Sequence, residues 1–129
     1  MVLASLALLS VLSQAAPTPT AREVTLRLPH ALHSGETAWI EVKLGVLERG
    51  AEIRVATMTD RTLGVISPYG VHSGHEAGSY MIQLPADAIA KGCVSLKVSL
   101  VRFGRAPRPP TNEEVKNIKL GIAPNGGHL

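Results

Sequence analysis

Apolar and polar residues alternate along this chain in one stretch after another, and no other feature restricts the fold as much. In REVTLRL, Val24, Leu26 and Leu28 share one face while Glu23, Thr25 and Arg27 share the other. TAWIEVKL sets Ala38, Ile40, Val42 and Leu44 against Trp39, Glu41 and Lys43. The phase returns in AEIRVATM (Ile53, Val55, Thr57), in SYMIQL (Tyr80, Ile82, Leu84) and in CVSLKVSLV (Val94, Leu96, Val98, Leu100). NIKLGI closes the series with Ile118, Leu120 and Ile122. Side chains of a strand point to opposite faces in turn, so each run predicts a strand with one buried and one wet face. Helix is nearly absent. PADAIAKG suits a single turn, and in TNEEVKN the capping-box spacing of Thr111 and Glu114 predicts a turn or two.

Turn chemistry separates the runs: Pro29, Ser34-Gly35, Arg49-Gly50, Thr59-Asp60, Ser67-Pro68-Tyr69-Gly70, Lys91-Gly92 and Gly104. TLGVIS, reached through the tight turn at Thr59-Asp60-Arg61, adds a shorter strand. About seven short strands at regular spacing predict a single all-β domain, an antiparallel β-sandwich. The two-sheet alternation and the closing NIKLGI strand resemble immunoglobulin-like sandwiches and galactose-binding jelly rolls, a resemblance of fold alone. The Cys and Trp pairing of antibody-type domains is missing, because there is one Cys and Trp39 falls on the outward phase.

The first twenty residues, MVLASLALLSVLSQAAPTPT, read as an export signal. Val2 to Leu12 is uncharged and aliphatic, the length of a signal-peptide core and short of the roughly 20 residues that span a bilayer. Small residues at Ser13 and Ala15 place cleavage after Ala15, although no Lys or Arg precedes the apolar run. The expected organisation is a signal peptide over 1–15, a disordered leader over 16–21, the sandwich over 22–122 and a flexible tail over 123–129. The expected location is extracytoplasmic, periplasmic or secreted. No second apolar run predicts a membrane span in the mature chain.

A lone Cys93 excludes an internal disulfide, so the domain depends on its apolar core. Cys93 itself lies on the outward phase with Ser95 and Lys97, open to pairing between chains or covered and inert. The net charge of +3 is small and its basic residues are interleaved with acids, which argues against nucleic acid as a partner.

Three constellations carry possible chemistry. His30 with His33, and His72 with His75, make two His-x-x-His pairs among five histidines, each running through Ser-Gly to a glutamate, Glu36 or Glu76. If the strands after them ran the same way, both loops would share one end of the sandwich. Four imidazoles and a carboxylate would then suit copper or zinc. Shared turn chemistry is the plainer explanation of the echo. Trp39, with Glu41 and Lys43, falls on the wet phase of its strand. There an indole can stack on a sugar ring or anchor a protein, unless a loop such as Ile66 to Gly78 covers it. Arg102, Arg105 and Arg108 surround the only Phe in VRFGRAPRPPT, a proline-stiffened segment suited to an anionic polysaccharide or protein.

Catalytic patterns are missing from the sequence. There is no Gly-x-Ser-x-Gly elbow, phosphate-cradling glycine loop or dinucleotide fingerprint, and the adjacent Glu113 and Glu114 diverge. The leading expectation is therefore an exported, non-catalytic binding or interaction module for a carbohydrate or protein ligand, with no cofactor. One alternative is a small copper- or zinc-binding protein using the paired histidines. A second is a structural or assembly subunit presenting sheet edges to its copies.

Overall fold

The alternating runs become strands with the expected phase. In the computed structural model of the chain, which describes residues 18–68 and 76–124, seven strands succeed one another. They are β1 (Arg22–Arg27), β2 (Glu36–Val46), β3 (Glu52–Thr57), β4 (Thr62–Ile66), β5 (Glu76–Leu84), β6 (Cys93–Val101) and β7 (Val115–Pro124). One sheet has the order β1-β6-β3-β4 and the other β5-β2-β7, with every neighbouring pair antiparallel. The chain is a β-sandwich. β2 with β5 and β3 with β6 are pairings of an immunoglobulin constant domain, but β1, β4 and β7 lie in the opposite sheets from that plan.

The core follows from the phase. Ala38, Ile40, Val42 and Leu44 of β2 are fully buried, and they join Ile53 and Val55 of β3 and Val94, Leu96, Val98 and Leu100 of β6. Each such Val, Leu or Ile contributes about 1.5–3 kcal/mol by leaving water. The β1 and β7 margin is looser, since Val24, Leu26, Ile118, Leu120 and Ile122 are only half-buried against this core. Among the described residues, no helix is long and apolar enough to cross a membrane.

Local details depart from expectation in two places. The Thr111 and Glu114 box closes as anticipated: the Thr111 N–H donates to Glu114 Oε1 at 2.9 Å and the Glu114 N–H donates to Thr111 Oγ1 at 3.2 Å. It closes a single turn rather than a helix, because the chain enters β7 at Val115, which pairs with Leu44. That turn sits so close to β2 that the Gly45 N–H donates to the Glu114 carbonyl at 2.9 Å. β7 also continues through Ala123 and Pro124, opposite Thr37 and Glu36, beyond the boundary expected at Ile122. The other small element forms as expected, a 3-10 turn over Ala86–Ala88. The anticipated signal peptide over 1–15 lies outside the described residues.

Candidate functional site

Trp39 stands on the outer face of the three-stranded sheet, in its middle strand. Its neighbours on β2, Ala38 and Ile40, are fully buried, so the indole must point the other way, and it is half-buried there. Register places it between Gln83 of β5 and Gly121 of β7. Glu41, one step along the same face, lies between Met81 and Lys119, and Lys43 between Ser79 and Asn117. A side chain built on Gly121 would meet nothing within 4 Å, so the indole borders an open notch instead of closing over it. Met81 is 50% exposed. Glu41, Gln83 and Lys119 make no side-chain hydrogen bond or ion pair among the described residues, leaving their polar atoms free on this face.

This face continues into a groove. A cleft of 470 Å³ follows the seam where β5 approaches β4, lined by Met81 and Gln83 from the outer face and by Leu63, Val65 and Ser67 across the seam. The loop expected to cover Trp39 has its described flanks, Pro68 and Glu76, toward the far end of the sheet. Glu76 pairs with Val46, seven residues along β2 from the indole.

The arginine segment lies at that far end, and most of its charge is met from within the chain. Arg108 forks onto Glu114 with two hydrogen bonds of 2.8 Å and approaches Glu48 at 3.5 Å. Arg102 pairs with the same Glu48. Hydrogen bonding from Arg108 holds the buried Glu114 carboxyl below its ordinary value against the opposing effect of burial. Of the trio anticipated to meet an anion, only Arg105 has no side-chain partner among the described residues. Beside it Phe103 is fully exposed on the turn. Other displaced titrations belong to surface pairs: Lys116 lowers Glu76, and Arg61 lowers Asp87 while rising itself.

The first histidine pair sits at the near end of the sheet. Ser34-Gly35 makes a tight turn, with Gly35 at φ +83 and the Glu36 N–H donating to the His33 carbonyl at 3.0 Å. The turn brings His30, His33 and Glu36 together, their ligand-capable atoms all within 4.8 Å of one another. His72 and His75 lie outside the described residues. The strands that follow the two pairs do not run the same way, however, since β2 and β5 are antiparallel neighbours. Glu36 and Glu76 mark opposite ends of β2, ten residues or about 33 Å apart. The parallel sense needed to bring both loops to one end is therefore not the sense these strands have.

Sequence reasoning missed the partners on both surfaces. Met81, Gln83, Lys119 and Gly121 become neighbours of the Trp39 strand only through pairing, and nothing local signals it. Glu48 is 54 residues from Arg102. The Glu114 pairing had a partial signal, since its capping-box spacing already implied an ordered carboxylate. Compared with known proteins, the chain matches no protein-family model, no curated protein and no solved structure.

Proposed function

We propose that this chain is an exported, non-catalytic binding module that takes a carbohydrate on the outer face of the β5-β2-β7 sheet, at Trp39. Export rests on the leader sequence. The observation that carries the reading is the half-buried indole beside the open notch over Gly121. An aromatic ring on a polar sheet face offers an apolar plate for the C–H face of a sugar. Around it Glu41, Gln83 and Lys119 supply both donors and acceptors for hydroxyl groups, none of them committed to a partner among the described residues. The groove at the β4 and β5 seam extends the surface beyond a single ring.

The test is a glycan array probed with the mature chain, followed by titration of the best ligand. Binding should shift emission of Trp39, the only Trp. Trp39→Ala should weaken binding more than roughly tenfold, the scale of a 1.4 kcal/mol contact, while the domain stays folded. The reading fails if no glycan binds, or if Trp39→Ala leaves glycan affinity unchanged.

A further inference from the structure

We infer that His30, His33 and Glu36 form a surface site for a divalent first-row transition ion, copper(II) above zinc. This proposal is independent of the sheet-face reading. Two imidazoles and one carboxylate, with their ligand-capable atoms within 4.8 Å of one another, form the donor set. Nitrogen and mixed nitrogen–oxygen sites favour copper(II) most strongly among the divalent first-row ions, with zinc below it.

The geometry goes beyond proximity. His30 Nδ1 lies 2.8 Å from the Ala31 carbonyl oxygen. A carbonyl can only accept, so in this contact Nδ1 carries the hydrogen and a neutral ring has its lone pair on Nε2. This is the backbone anchoring that metal-binding histidines commonly show, fixing tautomer and ring direction together. Glu36 is anchored as well. Its Oε1 accepts the His33 N–H at 2.7 Å and lies 3.4 Å from His33 Nδ1. The two rings stack with centroids 4.9 Å apart and planes 21° from parallel.

Metal bonds of about 2.0–2.1 Å place the ligand atoms of tetrahedral zinc roughly 3.3 Å apart and cis ligand atoms of tetragonal copper(II) roughly 2.9 Å apart. Ligand atoms lying within 4.8 Å of one another must therefore draw together as an ion binds, with His30 presenting Nε2. The His33 side chain, 73% exposed, is the one free to turn, whereas turning His30 would give up its Ala31 contact. Three protein ligands leave a position open to water or to an exchanging donor, which suits an exchangeable ion better than a structural one.

The experiment titrates copper(II), and separately zinc, into the full mature chain after chelator treatment, reading heat and Trp39 emission. Trp39 lies three residues along β2 from Glu36, about 10 Å, within range of quenching by copper(II). One equivalent should bind, and a competing chelator should release it. His30→Gln and His33→Gln should each weaken binding at least tenfold with an unchanged far-ultraviolet circular dichroism spectrum, which exposed loop residues permit. A His72→Gln, His75→Gln double variant should bind as the parent does. The proposal is overturned if neither metal binds at 1:1 below about 100 μM, if His33→Gln binds as tightly as the parent, or if only the His72 and His75 changes abolish binding. Glycan binding by a metal-free chain would leave the sheet-face reading standing whichever way this result falls.

Discussion

Replacing Glu114 with Gln should cost stability by an amount that disappears in acid. The wild-type carboxylate is buried, with its side chain 11% exposed, and accepts three hydrogen bonds: two from Arg108 at 2.8 Å and one from the Thr111 N–H at 2.9 Å. A glutamine carbonyl in the Oε1 position keeps the Thr111 bond and one Arg108 bond. Its amide group then faces the other Arg108 nitrogen, donor against donor. The loss is one charge-assisted hydrogen bond, worth about 1.5–3 kcal/mol when fully enclosed. Arg108 is 40% exposed and has Glu48 at 3.5 Å, so water and that second carboxylate recover part of it. We expect a net loss of about 1–2 kcal/mol at pH 7, which lowers the urea midpoint by roughly 1 M. Acidity supplies the sharper test. The folded-state value of Glu114 lies below the ordinary 4.5, chiefly through Arg108. Between the two values the unfolded chain binds the proton and the folded chain does not, so stability rises with pH across that window. The contribution is complete above the unfolded value and is lost as pH falls through the folded one. The variant has no carboxyl to titrate there. Urea titrations of both proteins from pH 7 downward should show the gap closing below 4.5. A gap under about 0.5 kcal/mol at pH 7, or one of constant size into acid, would refute the reasoning.

Two further substitutions probe backbone geometry. Gly45→Ala would place Cβ 1.9 Å from the Glu113 carbonyl oxygen, so the turn before β7 must withdraw and the Gly45 N–H bond to Glu114 must stretch; we expect a loss of more than about 3 kcal/mol in urea unfolding, and a loss below 1 kcal/mol would contradict the close approach. Lys91→Asn should stabilise by about 0.5–1 kcal/mol: Lys91 and Gly92 hold φ of 54 and 75 between Ala90 and Cys93, which exchange backbone hydrogen bonds, and such a turn prefers Asn-Gly; a drop in melting temperature would contradict it.

The strand content and the identity of the core were legible because alternation is local. Ala38, Ile40, Val42 and Leu44 are buried for the same reason that they alternate with Trp39, Glu41 and Lys43: a strand turns successive side chains to opposite faces. The outward phase of Trp39 needed no tertiary information. The tight turn at Ser34-Gly35 and the reciprocal bonds of Thr111 and Glu114 were also readable, since each closes within four residues.

Pairing was not readable, and pairing decided what the surfaces offer. That β2 lies between β5 and β7 gives Trp39 its notch over Gly121 and surrounds it with Gln83, Met81 and Lys119. That β2 and β5 are antiparallel places Glu36 and Glu76, the first residues of those strands, at opposite ends of β2. The arginines around Phe103 show the same dependence. Their spacing suggested a cationic surface, but Glu48 reaches Arg102 from 54 positions away and Glu114 holds Arg108. A period-two pattern fixes which way each side chain points relative to its own strand. It carries no information about which strand lies alongside or in which direction, because those choices depend on contacts between residues far apart in the chain.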